Sequence, residues 1–260
     1  IEENQVEELN QLSVSYNKML ERLSDAFEMQ RQFTANAAHE LRTPLALMQV
    51  QLDLYNSTQH SGSDEDTLQT IKMVTEQNDR LGKMVKTLLD MSELQSVARN
   101  DKIELHSLIE EVLTDLEPLA QEKNVELIQK TQNLRDEKAE NKTADLILTG
   151  SDILIYRMLY NLVENAIKYN HTNGNVTVSA VRMKNTVVLT VADTGNGIEE
   201  SFREQIFEPF FRIDKSRSRE LGGVGLGLAL VREIVRVHDG TIEVHGNEQG
   251  GTTFEITMGL

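Results

Sequence analysis

Residues 152–169 read D-I-L-I-Y-R-M-L-Y-N-L-V-E-N-A-I-K-Y, and the rest of the chain organises itself around them. Ile155, Met158, Leu159, Leu162, Val163, Ala166 and Ile167 recur at helical spacing. Asn161, Asn165 and Lys168 fall at i, i+4 and i+7, which puts two amides and an ammonium on one face of that helix. Ser151 or Asp152 stands where an N-cap belongs. Downstream, residues 176–182 and 186–192 alternate as half-buried strands do, with Lys184-Asn185 as the turn between them. Residues 224–238 predict a further helix, and 241–245 with 252–258 a closing hairpin around Gly250-Gly251. Upstream, 105–120 read as helix, 125–129 and 144–149 as strands, and 131–143, nearly all polar, as a surface loop. Helices and strands mixed in this way predict an α/β layer structure, a domain over 99–260 set off by a polar hinge at 95–101.

The part before the hinge reads as helix alone. Leu9, Leu12, Tyr16, Met19 and Leu23 recur at alternating steps of three and four, the period of a coiled-coil seam. The stripe resumes at Leu41, Leu45, Met48, Leu52 and Tyr55. A polar stretch with a glycine, residues 57–66, interrupts it. A second stripe follows at Leu68, Ile71, Val74, Asn78, Leu81, Val85 and Leu88. Two amphipathic helices joined by a short loop form a hairpin whose apolar face is wider than the hairpin can cover. Pairing with a second copy into a dimeric four-helix bundle is the economical solution.

The chain has 260 residues, 39% hydrophobic and 26% charged, which suits a folded protein with a sizeable core. Acidic residues outnumber basic ones 42 to 26, for a formal charge of −16. That balance argues against nucleic acid as a partner, since phosphate-backbone binders need positive surface. The absence of cysteine excludes disulfides, cysteine nucleophiles and thiolate metal sites. No apolar run approaches the roughly 18–20 residues of a membrane-spanning helix, and no signal segment is present. Because the first residue is Ile1, a processed or excised piece of a longer protein is expected.

Four constellations carry chemistry. His39-Glu40-Leu41-Arg42-Thr43-Pro44 lies in mid-helix. One imidazole nitrogen can attack phosphorus while the other is held as a donor, and Glu40 is the nearby carboxylate. Thr43, four residues after His39, can position a water, and Pro44 is expected to bend the helix. The alternative is a surface histidine beside a chance kink. On the helix from 152, an amide oxygen suits Mg²⁺ and the lysine suits phosphate, against the alternative of a solvated amphipathic face. Asp193-Thr194-Gly195-Asn196-Gly197 ends a strand, and Asp193 can accept from the exocyclic amino group of adenine while repelling the carbonyl of guanine. A plain tight turn is the competing reading. Gly223-Val224-Gly225-Leu226-Gly227-Leu228 opens a helix whose free amides attract phosphate. Between the last two lie Arg212, Lys215, Arg217 and Arg219, a basic stretch suited to a mobile lid or to a solvated loop, after an aromatic cluster (Phe207, Phe210, Phe211) expected at the surface.

Taken together and in this order, these motifs resemble the sensor histidine kinases. His39 to Pro44 resembles their phosphoacceptor box, and Asn161 to Lys168 their asparagine box. Asp193 to Gly197, Phe207 to Phe211 and Gly223 to Leu228 resemble the first glycine, phenylalanine and second glycine boxes. Glu8-Leu9, Leu12, Tyr16-Asn17 and Met19 resemble the end of a HAMP relay helix, although Asn10 stands where Gly is usual.

The resemblance implies a HAMP and signalling helix over 1–26, a dimerisation and phosphotransfer domain over 27–98, and an ATP-binding two-layer α/β sandwich over 99–260. That sandwich is of the type shared with topoisomerase and chaperone ATPases, which lack the histidine box. It implies His39 as nucleophile, Glu40 as general base and Thr43 in phosphatase chemistry. Asn165 would hold Mg²⁺ with Asn161 in support, Lys168 and Tyr169 would meet the nucleotide, and Asp193 would take adenine, with Gly195 and Gly197 allowing close approach. Gly223, Gly225, Leu226 and Gly227 would cradle phosphate, with Arg212, Lys215, Arg217 and Arg219 as candidates for the γ-phosphate. It further implies ATP, Mg²⁺, a homodimer, a response regulator receiver domain as partner, and a cytoplasmic portion of a plasma-membrane protein whose sensor lies upstream. Asn170-His171-Thr172-Asn173 departs from the Thr-Pro common in relatives, which touches loop geometry. His60, His106, His171, His238 and His245 are read as structural or solvated. A nucleotide-binding scaffold without transfer, and an ATPase that does not label itself, are the competing functions.

Overall fold

The computed structural model describes residues 2–57, 64–94, 96–133, 146–214 and 224–260. The middle of the loop expected at 57–66, most of that expected at 131–143, and Lys215, Arg217, Arg219 and Gly223 lie outside the described residues. Two compact units are distinguished, Ile1–Leu81 and Gly82–Leu260.

The first unit is helical. Helix α1 spans Glu2–Ser57 and is continuous through Pro44; helix α2 spans Asp64–Glu93 and passes into the second unit after Leu81. Arg80 Nη2 lies 3.9 Å from Glu40 Oε2. The two residues are at similar distances along the chain from the connection between the helices, so the helices run antiparallel, as the hairpin reading requires. Much of the apolar stripe is exposed in the single chain, including Leu12, Tyr16, Met19 and Leu23, then Leu45, Leu52, Leu68 and Ile71. No helix among the described residues is long and apolar enough to cross a membrane.

The second unit is a two-layer α/β sandwich. After the end of α2 come β1 (Asp101–Glu104), α3 (Leu105–Lys123), β2 (Glu126–Asn133), β3 (Ile147–Gly150) and α4 (Asp152–Lys168). Then follow β4 (Asn175–Met183), β5 (Thr186–Asp193), two short 3₁₀ turns, α5 (Gly227–Val237), β6 (Thr241–Gly246) and β7 (Thr252–Gly259). The main sheet has the order β2-β4-β5-β7-β6, parallel at β2/β4 and antiparallel elsewhere. β1 and β3 form a separate antiparallel pair. Val176, Val178 and Ala180 of β4, Val187, Leu189 and Val191 of β5, and Phe254, Ile256 and Met258 of β7 are buried on one face. Alternation along each strand brings them to that side, and they meet the buried residues of α3, α4 and α5.

Several boundaries differ from expectation. Residues 131–133 extend β2 despite their polarity, because β2 is an edge strand whose backbone pairs with Ala180, Val181 and Arg182. β1 has no periodic signal of its own and exists through its pairing with β3. Ser151 sits at the cap position of α4 but makes no side-chain capping bond. Its N–H donates to His238 Nε2 at 3.0 Å, while Asp101 Oδ2 accepts from the Asp152 N–H at 3.1 Å. Thus Asp101 of β1 serves as the acceptor that a local cap would have been, and His238 is structural, as expected. α5 starts at Gly227 rather than at 224 because Gly225, at φ +78°, interrupts helical geometry.

Leu189 lies in mid-sheet, paired with Ala180 on one side and Ile256 on the other, and is fully buried. Leu189→Ala is expected to lower the unfolding free energy of this unit by about 2–5 kcal/mol in urea titration. Thr190→Ala, on the opposite face of the same strand, should change it by less than about 1 kcal/mol.

Candidate functional site

Helix α4 serves two purposes with one periodicity. Leu154, Ile155, Met158, Leu159, Leu162, Val163, Ala166 and Ile167 are buried. The remaining face presents Asn161, Glu164, Asn165 and Lys168 to a cavity of about 530 Å³. Asn161 Nδ2 donates back to the Arg157 carbonyl at 2.7 Å, which commits the amide nitrogen and leaves the oxygen as its outward acceptor. The Asn165 amide makes no hydrogen bond among the described residues. Lys168 Nζ is paired with Glu164 Oε1 at 2.8 Å. Tyr169, which ends the helix, and Arg212 also line the cavity, as do Gly225, Leu226 and Gly227 at the start of α5.

Asp193, at the end of β5, lines the same cavity and is held by a backbone clamp. Its Oδ1 accepts from the Gly195 N–H at 2.8 Å and from the Thr252 N–H at 3.1 Å. Its Oδ2 takes no hydrogen bond among the described residues. Burial pushes the Asp193 carboxyl above the ordinary carboxylate range, and the two N–H donors and nearby His171 oppose that shift. The product is a mostly desolvated carboxylate with one oxygen committed and one open to the cavity. Gly197 lines the cavity beside it, and Gly195 is buried behind.

Three features around Asp193 lie beyond the reach of the sequence motifs. Asn247 Nδ2 donates to the Asp193 carbonyl at 2.7 Å, while its Oδ1 accepts from the Gly251 N–H at 2.9 Å and the Gln249 N–H at 3.1 Å. It thereby ties the β6–β7 turn to the end of β5. Gly251 packs so closely that any Cβ would overlap the Asp193 carbonyl. Asn170 Oδ1 accepts from the Thr194 hydroxyl at 3.1 Å, which anchors the unusual loop after α4 to the Asp193 turn. An asparagine next to a Gly-Gly turn is the one local signal for Asn247; its partner is too distant in sequence to be inferred from it.

The phenylalanine segment is not at the surface as expected. Phe207 is buried, edge-on to Phe254 at a centroid distance of 6.4 Å, with the Arg232 guanidinium 5.9 Å from its ring centroid. Phe210 and Phe211 are half-buried. The Phe210 N–H donates to the Gly225 carbonyl at 2.7 Å, and a Cβ on Gly225 would fall 2.7 Å from the Phe211 carbonyl oxygen. The aromatic segment therefore fixes the glycine turn that leads into α5.

His39, Glu40 and Thr43 lie in the first unit. His39 is exposed on α1. The Thr43 hydroxyl donates to the His39 carbonyl at 3.2 Å, and Pro44 is buried. Glu40 is half-buried beside Arg80, a neighbour to which no local sequence signal points.

Residues 29–97 match the family of His Kinase A (phospho-acceptor) domains, and residues 150–260 the family of histidine kinase-, DNA gyrase B- and HSP90-like ATPases. The chain is 32% identical to sensor histidine kinase RppB of Synechocystis sp. over 90% of its own length and 50% of that protein. It is 33% identical to signal transduction histidine-protein kinase ArlS of Staphylococcus aureus over 96% of its length and 53% of that protein. The chain thus spans about half the length of the curated relatives it matches. Among solved structures it resembles histidine kinase ThkA, in a complex with response regulator protein TrrA, with a TM-score of 0.67 and 27% identity over 88% of this chain and 61% of that one. Two domains matched in the order that the residues predict, with relatives of one kind along nearly the whole chain, make this protein a member of the sensor histidine kinases.

Proposed function

We propose that this protein is an ATP-dependent protein-histidine kinase that phosphorylates its own His39 and passes the phosphoryl group to an aspartate of a response regulator receiver domain. The observation that carries the reading is the open oxygen of Asp193 in a cavity that also presents the Asn161 and Asn165 amides. An acceptor fixed by two backbone donors reads an exocyclic amino group and repels a carbonyl, so Asp193 selects adenine. Among the described residues no group of three or more His, Asp or Glu side chains could hold a metal. The donors present are amide oxygens, which suit Mg²⁺ brought by the nucleotide, with Asn165 as the protein ligand and Asn161 beside it. Lys168 and Tyr169 meet the nucleotide. The amides of 225–227 face its phosphates at the start of α5, next to Gly223. Arg212, Lys215, Arg217 and Arg219 supply lid cations for the γ-phosphate.

In the transfer, one nitrogen of His39 forms a bond to the γ-phosphorus as the bond to the departing ADP breaks. Glu40 takes the proton from the other ring nitrogen, and Arg80 fixes the position of that carboxylate. Catalysis rests on positioning and charge neutralisation, because phosphoryl transfer asks for little covalent help. Thr43 orients a water for the reverse task, dephosphorylation of the regulator; its hydroxyl bond to the His39 carbonyl holds it one turn from the ring. The exposed apolar stripes of α1 and α2 form the homodimer. Residues 1–26 are the end of a HAMP relay and a signalling helix, 27–98 the dimerisation and phosphotransfer domain, and 99–260 the ATP-binding domain. The whole protein sits in the plasma membrane, with this portion in the cytoplasm. The ThkA complex with TrrA supports the choice of partner.

Incubation with γ-labelled ATP is expected to leave acid-labile, alkali-stable label on the protein, and His39→Gln to remove it. Label that survives in that variant would place the phosphoacceptor elsewhere. Asp193 must be ionised to accept from adenine, and burial raises its proton affinity. ATP binding followed by calorimetry is therefore expected to weaken as pH falls, beginning above the usual aspartate pKa of about 3.9. Asp193→Asn, which replaces one acceptor oxygen by a donor, should lose most of the binding at every pH.

A further inference from the structure

The last turns of α2 belong to the second unit and bear on the same cavity. Met91 and Leu94 pack with the core residues that include Leu105 and Leu154, so this end of the helix is anchored there. Lys83, Thr87 and Asp90 stand at i, i+4 and i+7 and share one face. Asp90 Oδ1 is ion-paired with Arg157 Nη1 of α4 at 2.6 Å, both side chains being part-buried. Thr87 and Lys83, one and two turns earlier on that face, line the cavity together with Asn161, Glu164 and Lys168.

The lining is poor in uncommitted positive charge. Its described acids are Glu164, Asp193 and Asp214, and its described cations are Lys83, Lys168 and Arg212. Lys168 is already neutralised by Glu164. The ammonium of Lys83 makes no hydrogen bond or ion pair among the described residues, and the Thr87 hydroxyl is turned to the Lys83 carbonyl at 2.9 Å rather than to the ammonium. A triphosphate entering a balanced lining on a chain of net charge −16 requires cations that are not held elsewhere.

We propose that Lys83 is a phosphate ligand of the bound nucleotide, supplied by α2 and held at the cavity by the Asp90–Arg157 ion pair. The inference rests on the nucleotide reading of the cavity given above. It adds that the helix following the phosphoacceptor helix contributes directly to nucleotide affinity. Asp90 acts through Lys83 and is a positioning residue.

Calorimetric titration of the whole chain with Mg²⁺-ATP and, separately, with adenosine tests this at fixed ionic strength. Lys83→Met is expected to weaken ATP binding about tenfold and leave adenosine binding unchanged, in line with loss of one charge-assisted phosphate contact. Lys83→Arg should restore most of the ATP affinity. Asp90→Asn should weaken ATP in the same direction and spare adenosine. ATP affinity in Lys83→Met equal to or above that of the wild type would overturn the proposal, as would an equal loss for adenosine. A wild-type chain that binds neither ligand would overturn the nucleotide reading itself, and the role of Lys83 with it.

Discussion

One carboxylate oxygen, Asp193 Oδ1, holds two backbone N–H groups, one from the turn just after β5 and one from the first residue of β7. The site depends on that division of labour. A buried carboxylate without donors would take up a proton and become useless as a fixed acceptor. With Gly195 and Thr252 on one oxygen, the side chain is held in place, and the other oxygen is left without a hydrogen bond among the described residues in a side chain that lines the cavity. Asn247 and Gly251 secure the arrangement from behind by fixing the main chain of the same residue. The clamp joins the end of β5 to the start of β7, neighbours in the sheet but almost sixty residues apart in sequence.

The second constraint is the economy of α4. Its apolar faces are part of the core between α3, α5 and the sheet, and its one polar face is the floor of the cavity. A change on either side is felt on the other, because the same turns serve both. Gly227 lets α5 begin directly against Asn161, and Gly225 with the half-buried Phe210 and Phe211 sets the angle at which α5 arrives. The phenylalanine segment is therefore a support for the glycine turn rather than an exposed patch.

Much of this architecture is legible in the residues alone. The α4 periodicity, the two strands after it and the terminal hairpin announce a layered α/β domain, and all stand at the expected positions. The amides of Asn161 and Asn165 and the carboxylate of Asp193 are legible because their residue types and spacing match a chemistry. What is not legible is long-range. Asp101 takes the capping role from Ser151 across some fifty residues, and Arg80 reaches Glu40 from another helix. Phe207 to Phe211 suit core and patch equally well by local pattern, and the packing of Phe254 and Arg232 against Phe207 decides for the core. β1 exists only because β3 pairs with it. Local pattern names elements and chemistry, and tertiary pairing decides caps, edges and which aromatic side chains are buried.

The claim at the centre is that the open oxygen of Asp193 reads the amino group of the purine. Replacing adenine by hypoxanthine changes that amino group to a carbonyl, turns the neighbouring N1 from an acceptor into an N–H donor, and leaves the ribose and phosphates alone. Competition of ADP against IDP for the wild-type protein thus tests recognition of that purine edge. IDP is expected to bind at least about a hundredfold more weakly than ADP, because a desolvated acceptor meets an acceptor. Equal affinity for the two nucleotides would contradict it.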